Sequence, residues 1–289
     1  MKPGFLNSLL TLLKYKVSLA VTFTAITGYI VYTGIFDVHI IQMAFGVFIL
    51  AGGSSTMNEV QEWKYDSKMK RTMQRPIASG EMTPLNGLIM SISFIVSGIL
   101  VLYISFGLVP ALLGLFNIGW YNLLYTNLKR ITPYAVVPGS LVGAVPVLIG
   151  WTAAGGFLFS STIVFIAFFL FIWQIPHFWL LMLKYGKEYE QAGFPTINQS
   201  ISSESLKKII FIWVLATSVF SIAIPLFIRN ISLTFFLIIF AVNILFVALF
   251  ARYSFGKVTE LDLKKSFISI NIYMIVFMVL LILHQLSIA

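Results

Sequence analysis

Nine long apolar segments dominate this chain and restrict what it can fold into. A helix of about 20 apolar residues is long enough to cross the hydrocarbon core of a bilayer. The chain is 59% hydrophobic and only 10% charged, so it lacks the polar residues that usually cover a soluble domain. We therefore expect an all-α, multi-pass transmembrane helical bundle of about nine spans. We place these spans at roughly 17–36, 39–58, 84–105, 108–128, 134–153, 160–183, 208–228, 232–251 and 267–287.

The positive charges segregate with these segments. If the spans alternate across the membrane, 18 of the 19 Lys and Arg residues fall on one side and only Arg229 falls on the other. Cytoplasmic loops of membrane proteins carry an excess of Lys and Arg, so this side is predicted to be cytoplasmic. The N-terminus is then inside and the C-terminus outside. The same rule accounts for the net charge of +9 without a nucleic-acid partner.

The length and spacing of the segments favour one transmembrane domain over residues 1–289. Its cytoplasmic loops are expected at about 59–83, 184–207 and 252–266. The sequence contains no cysteine. Disulfides, thiolate metal sites and cysteine nucleophiles are therefore excluded.

The first charged loop carries a pattern with chemical meaning. Asn58, Glu62 and Asp66 are spaced four residues apart and lie on one face if the second span continues as a helix. Their oxygens suit Mg²⁺, which takes carboxylates together with waters and substrate phosphates. Arg71 and Arg75 follow, again four apart, and guanidinium groups match phosphate oxygens in pairs. This pattern suggests a metal–diphosphate site, although a solvated helix of mixed charge explains the spacing equally well.

The stretch 58–76 resembles the first acidic motif of the UbiA superfamily of intramembrane prenyltransferases, which is Asn/Asp-x-x-x-Asp-x-x-x-Asp followed by basic residues. Its closing run, Asp-Ser-Lys-Met-Lys-Arg-Thr-Met-Gln-Arg-Pro, resembles the branch that farnesylates protohaem IX. Three later segments resemble the same branch in the same order, and the resemblance runs from about Lys14 to Pro195. They are Tyr-Thr-Asn-Leu-Lys-Arg-Ile-Thr-Pro at 125–133, Gly-Ala-Val-Pro with Gly-Trp at 143–151, and Trp-Gln-Ile-Pro-His-Phe-Trp at 173–179.

This resemblance implies the prenyltransferase fold and an Mg²⁺-dependent reaction in a bacterial inner membrane. The implied substrates are farnesyl diphosphate and protohaem IX, the implied products are haem O and diphosphate, and a haem A synthase is implied downstream. The implied metal ligands are Asn58, Glu62 and Asp66 at one site and Glu188 at a second. The implied catalytic residues are these first three with Arg71, Lys129 and Arg130. The implied substrate-binding residues are Lys16, Arg75, Tyr125, Trp173, His177, Trp179, Glu188 and Tyr189.

The sequence departs from the family pattern in places. Glu62 stands where the family more often has Asp, and the segment 188–192 reads Glu-Tyr-Glu-Gln-Ala where Asp-Tyr-x-x-Ala is common. The lead-in Lys14-Tyr15-Lys16 stands where Lys-Pro-Arg is common. Glutamate keeps the charge and adds a methylene, so we expect Mg²⁺ ligation with a shifted backbone.

His177 follows Pro176 near the cytoplasmic end of the sixth span. A polar residue at that depth suggests a function, and this one could bind haem iron or a haem propionate. A histidine that bonds a backbone carbonyl at a helix end is the structural alternative.

Two other functions remain open on the sequence. A relative of these enzymes could act on another ring, such as a quinone precursor or a chlorin. A non-enzymatic transporter should instead carry charges or broken helices near the membrane midplane. No charged residue lies at the centre of any predicted span, which favours an enzyme with its site at the membrane surface.

Overall fold

The computed structural model describes residues 5–228, 231–256 and 260–288. Arg229, Lys257 and Lys2, which entered the charge argument, lie outside the described residues. Short 3₁₀ turns occur at Pro133–Ala135, Ile197–Gln199 and Ile224–Phe227, and a π-helical segment occurs at Gly119–Tyr125. The α-helices are α1 (Phe5–Leu12), α2 (Tyr15–Thr33), α3 (Val38–Asp66), α4 (Pro84–Phe106), α5 (Leu108–Ile118), α6 (Thr126–Leu128), α7 (Val136–Gly139), α8 (Leu141–Ala153), α9 (Ser161–Ala192), α10 (Ser203–Ala223), α11 (Leu233–Phe255) and α12 (Glu260–Ile288).

In the part of the chain that the structure describes, eight helical segments are long and apolar enough to cross a membrane. A ninth is formed if α1 and α2, which meet at 54°, are taken as one bent span. Within the described ranges no residue lies in a β-strand. The prediction of an all-α, multi-pass membrane bundle is therefore confirmed.

Two helices continue past the ends predicted from hydropathy. Helix α3 runs on to Asp66, and α9 ends at Ala192, where Gly193 adopts the left-handed backbone that glycine tolerates (φ 95°). Charged residues in these stretches are compatible with helix, so the loss of apolar character does not end the helix. As a result, Glu62 and Asp66 stand on the helical extension of α3, and Glu188 stands on that of α9.

Small residues set the closest helix contacts. A Cβ atom added to Gly150 of α8 would lie 1.8 Å from the carbonyl oxygen of Ala25 in α2. A Cβ on Gly28 of α2 would likewise lie 2.1 Å from the carbonyl oxygen of Val147. Small residues let membrane helices approach closely enough for backbone contact, and here they hold α2 and α8 together at the centre of the bundle.

The segments after α3 and α9 meet at one end of the bundle, which we call the charged end. Met69, Ala192 and Phe194 form a small buried apolar cluster there, with Tyr65 and Tyr189 packed against it. The cluster fastens segment 67–83 to the end of α9. It thereby covers the carboxylates that α3 presents at this end.

Candidate active site

Asn58, Glu62 and Asp66 lie along one face of α3, as their spacing predicts. Their exposed fractions are only 2%, 3% and 2%. The Nδ2 of Asn58 donates to Oε2 of Glu62 at 2.9 Å, which links the first two members. This acidic stripe is buried within the charged end of the bundle, so the alternative of a solvated helix face does not describe it.

Among the described residues, three cations from separate segments each contact one member of the acidic stripe. Lys14, between α1 and α2, donates its Nζ to Oδ1 of Asn58 at 2.9 Å. The remaining two contacts are ion pairs at 2.7 Å, Lys129 with Glu62 and Arg75 with Asp66. Parts of the chain that are distant in sequence thus converge on one buried acidic surface.

The electrostatics of these pairs keep the cations charged. Burial is the largest single effect on Lys129 and disfavours its charge, but the Glu62 carboxylate and the nearby tyrosines Tyr125 and Tyr189 together outweigh it, so the pKa of Lys129 lies above its ordinary value. For Arg75 burial is again the largest single effect and opposes the charge, but the ion pair and hydrogen bond with Asp66, together with other nearby groups, outweigh it and raise the pKa. The site therefore holds permanent positive charge next to its carboxylates, which is what a diphosphate group requires.

Lys14, and not Lys16, reaches the acidic stripe. Lys14 has a left-handed backbone (φ 43°), the only such non-glycine residue in the part of the chain that the structure describes. Lys16 is exposed, and its Nζ lies 5.8 Å from the ring centroid of Tyr15. The motif Lys14-Tyr15-Lys16 contains both residues, and its spacing alone does not reveal which one turns inward.

The donor atoms of the acidic stripe fit Mg²⁺. All are oxygens, and Oε1 of Glu62 is buried with no hydrogen-bond partner. Within the described ranges, no three His, Asp or Glu side chains converge closely enough to hold a metal ion alone. Mg²⁺ commonly completes its coordination with waters and substrate phosphates. The stripe therefore suits an ion that arrives with a phosphorylated substrate.

Glu188 and Tyr189 lie across from the stripe, on α9. Oε2 of Glu188 accepts from the backbone N–H of Arg71 at 3.3 Å, and Nη2 of Arg71 donates to the Tyr189 hydroxyl at 3.2 Å. The Arg71 guanidinium also lies 5.2 Å from the ring centroid of Tyr185. These contacts tie segment 67–83 to α9 and place Arg71 near Glu188.

Arg130 is directed at the backbone of α3 and not at the carboxylates. Its Nη2 donates to the carbonyl oxygen of Gln61 at 2.7 Å, and its guanidinium lies 5.2 Å from the ring centroid of Tyr65. Its Nε is buried without a partner. Arg130 therefore retains an unused donor at the edge of the site.

The π-helical segment Gly119–Tyr125 was not predicted from the sequence. Asn122 anchors it to α3: Ser54 Oγ donates to Oδ1 of Asn122 at 2.7 Å, and Gln61 Nε2 donates to the carbonyl oxygen of Asn122 at 3.0 Å. Such segments often occur at functional sites. Here it carries Tyr125, whose ring stacks on Tyr121 with centroids 5.8 Å apart.

The aromatic residues predicted on α9 face different neighbours. Phe178, which was not predicted, is the α9 residue whose ring lies 6.0 Å from Tyr125. Trp179 instead packs against Trp213 of α10, with ring centroids 6.3 Å apart. A helix of 3.6 residues per turn points neighbouring positions in different directions, so the Trp-Gln-Ile-Pro-His-Phe-Trp motif cannot all line one chamber.

His177 and Trp173 lie one turn apart on α9 and face α12. The His177 ring lies 5.1 Å from Trp173 and 5.0 Å from Phe267, between centroids. Trp173 Nε1 donates to the carbonyl oxygen of Ile270 at 3.1 Å. The Nδ1 of His177 is buried without a partner. A structural role for His177 would need a hydrogen bond to a backbone carbonyl. Nδ1 does not make such a bond.

Comparison with known proteins identifies the family of this chain. The model of the UbiA prenyltransferase family matches residues 19–281. A protoheme IX farnesyltransferase of Nitratidesulfovibrio vulgaris is 31% identical over 242 residues, covering 83% of this chain and 84% of that protein. One from Geobacter sulfurreducens is 43% identical over 150 residues, covering 52% of this chain and 55% of its own.

Solved structures agree on the fold. A digeranylgeranylglyceryl phosphate synthase aligns with a TM-score of 0.78 at 14% identity, covering 98% of this chain and 99% of that one. A UbiA homolog from Archaeoglobus fulgidus, solved bound to GPP and Mg²⁺, aligns with a TM-score of 0.69 at 14% identity, covering 97% and 99%. The family match over most of the chain and the shared fold lead to one conclusion: this chain belongs to the UbiA prenyltransferase family.

Proposed function

We propose that this protein transfers the farnesyl group of farnesyl diphosphate to a vinyl group of protohaem IX, giving haem O and diphosphate. The observation that carries the proposal is the buried stripe Asn58–Glu62–Asp66 with a basic side chain on each member. The acceptor is taken from the relatives named protoheme IX farnesyltransferase, two of which are 31% identical over 83% and 85% of this chain.

Diphosphate leaves only when its negative charge is neutralised. Mg²⁺ held by Asn58, Glu62 and Asp66, with Glu188 as the proposed ligand of a second ion, would supply most of that neutralisation. The Archaeoglobus homolog bound to GPP and Mg²⁺ supports this assignment. We assign phosphate contacts to Lys14, Lys16, Arg71, Arg75, Lys129 and Arg130.

The bond changes balance with one water. The bond between C1 of the farnesyl group and the diphosphate oxygen breaks, and C1 bonds to the terminal vinyl carbon. Water adds its oxygen to the neighbouring vinyl carbon and loses a proton to solvent. We assign Tyr125 to the developing allylic cation, because an aromatic face attracts a cation and this ring borders the stripe through Lys129, whose Nζ lies 5.4 Å away.

We assign the acceptor to the α9–α12 side, where His177 keeps a free buried nitrogen between Trp173 and Phe267. Flat aromatic side chains suit a porphyrin face. Trp179 and Tyr189 complete the proposed substrate-binding set. We also propose that residues 1–289 form one domain in a bacterial inner membrane, with the charged end cytoplasmic, the C-terminus outside and a haem A synthase as the downstream partner. The segregation of Lys and Arg supports this orientation.

The direct test supplies detergent-purified protein with farnesyl diphosphate, protohaem IX and Mg²⁺. The expected product is haem O, identified by its absorption spectrum and by a mass that equals protohaem plus a farnesyl group and a hydroxyl group. A chelator should abolish the product. Turnover with a quinone precursor or a chlorin, but not with protohaem, would contradict the acceptor assignment and leave the prenyl transfer intact.

A further inference from the structure

Glu59 is a buried acid that neither the acidic motif nor the proposed reaction uses. Its exposed fraction is 0%, and its Oε1 accepts the backbone N–H of Ile77 at 3.0 Å. Its Oε2 is buried without a hydrogen-bond partner. On a helix, positions 59 and 66 are two turns apart, so Glu59 flanks the acidic stripe on the side of Asp66. Burying a carboxyl group with one oxygen unpaired costs free energy. This cost suggests that Glu59 has a specific role at this position.

Ile77 follows Arg75 by two residues and is firmly held. Its side chain is 2% exposed, and a Cβ added to Gly87 of α4 would lie 2.5 Å from its Cδ1. The same segment is also attached to α3 on the N-terminal side of Arg75, where Thr72 Oγ1 donates to the backbone oxygen of Asp66 at 2.9 Å. Arg75 thus lies between two attachment points on α3, one at Asp66 and one at Glu59.

We propose that Glu59 is a positioning residue, which fastens segment 67–83 to α3 and thereby places the Arg75 guanidinium on the diphosphate site. The hydrogen bond to Ile77 fixes the backbone two residues beyond Arg75. Because one oxygen holds the Ile77 N–H and the residue lies beyond the Asn58–Glu62–Asp66 face, Glu59 acts through Arg75 and contacts no substrate.

The proposal predicts a specific kinetic pattern and rests on the proposed function. Glu59→Ala leaves the buried Ile77 N–H without a partner and is expected to raise the KM for farnesyl diphosphate about tenfold. Glu59→Gln keeps an oxygen acceptor and should stay within about threefold of wild type. Glu204→Ala, which removes an exposed acid at the start of α10, is the charge control and should change nothing.

A double-mutant cycle separates positioning from general damage. In an Arg75→Gln background, Glu59→Ala should add less than about twofold, because the residue it positions is gone. Arg130 does not lie on segment 67–83. In an Arg130→Gln background, Glu59→Ala should therefore still raise the KM about tenfold. Equal effects of Glu59→Ala in both backgrounds would overturn the proposal.

A second readout needs no turnover. The chain has no cysteine, so a single introduced thiol reports its own exposure. Thr72 is 1% exposed, and T72C should react slowly with a maleimide. Adding E59A should speed the reaction at least about tenfold, whereas adding E59Q or E204A should not. T196C, at a site that is 1% exposed in segment 193–202, should stay slow with E59A, which excludes global unfolding.

The two experiments also fail in distinguishable ways. A wild-type protein that binds no farnesyl diphosphate contradicts the proposed function, and the thiol reaction then still tests the positioning. Unchanged labelling of T72C in the presence of E59A contradicts the positioning even when the enzyme is active.

Discussion

The Nζ of Lys129 lies 2.7 Å from Oε2 of Glu62, the same oxygen that accepts a hydrogen bond from the side-chain amide of Asn58. Oε1 of Glu62 is buried and receives no hydrogen bond. One oxygen of this carboxylate is therefore held by two donors, while the other is left for a ligand. This arrangement brings the end of α6 to α3 and gives the pair both a structural and a proposed catalytic role.

Replacing Lys129 should separate those two roles. Lys129→Met leaves Glu62 as a buried charge without its cation and should lower the free energy of unfolding by about 3 kcal/mol. It should also lower kcat about 100-fold if Lys129 contacts the leaving diphosphate. Lys129→Met with Glu62→Gln should recover most of the stability and none of the activity. Recovery of activity in the double variant, measured by haem O formation, would refute the catalytic role.

The carboxylates of the stripe should each be required for metal-dependent turnover. We expect Asp66→Ala and Glu62→Ala to lower kcat/KM for farnesyl diphosphate by about 100-fold or more, because each removes an oxygen ligand and leaves a cation unpaired. The Mg²⁺ concentration for half-maximal rate should rise as well. Glu204→Ala serves as the exposed control. Unchanged activity in the variant that lacks both carboxylates would contradict the metal role.

The two lysines at the start of α2 should differ in effect. Lys14→Ala removes the basic side chain that contacts Asn58, so we expect the KM for farnesyl diphosphate to rise about tenfold. Lys16→Ala removes an exposed charge beside Tyr15 and should have a smaller effect. The comparison decides between the sequence-based choice of Lys16 and the geometry that favours Lys14. A larger effect for Lys16 would support the former.

The fold could be predicted from hydropathy because lipid imposes a strong, repetitive constraint on a chain. The stripe Asn58–Glu62–Asp66 was predictable for a similar reason, since helical periodicity places such positions on one face. The partners of the stripe were harder to predict. The contact between Lys14 and Asn58 requires the left-handed backbone of Lys14 itself. The contact between Glu59 and Ile77 requires that the loop after α3 returns to that helix. Contacts of this kind come from tertiary packing, which leaves no period in the sequence.

The contact between α2 and α8 should be intolerant of a single methyl group. Gly150→Ala would place a Cβ 1.8 Å from the Ala25 carbonyl oxygen, and moving two packed backbones apart costs about 1–3 kcal/mol or more. We expect a lower midpoint of thermal unfolding in detergent. Gly119→Ala is the control, since a Cβ there meets no atom within 4 Å. Equal midpoints for the two variants would show that the helices separate easily.

His177 should affect the acceptor and not the donor. His177→Phe preserves an aromatic ring between Trp173 and Phe267 but removes both ring nitrogens, whereas His177→Ala removes the packing as well. If a nitrogen binds haem iron or a propionate, both variants should raise the KM for protohaem about tenfold or more and leave the KM for farnesyl diphosphate unchanged. The absorption spectrum of bound protohaem should shift in both variants if the contact is to iron, and in neither if it is to a propionate. An effect of His177→Ala that His177→Phe fully rescues would show that the ring serves packing alone.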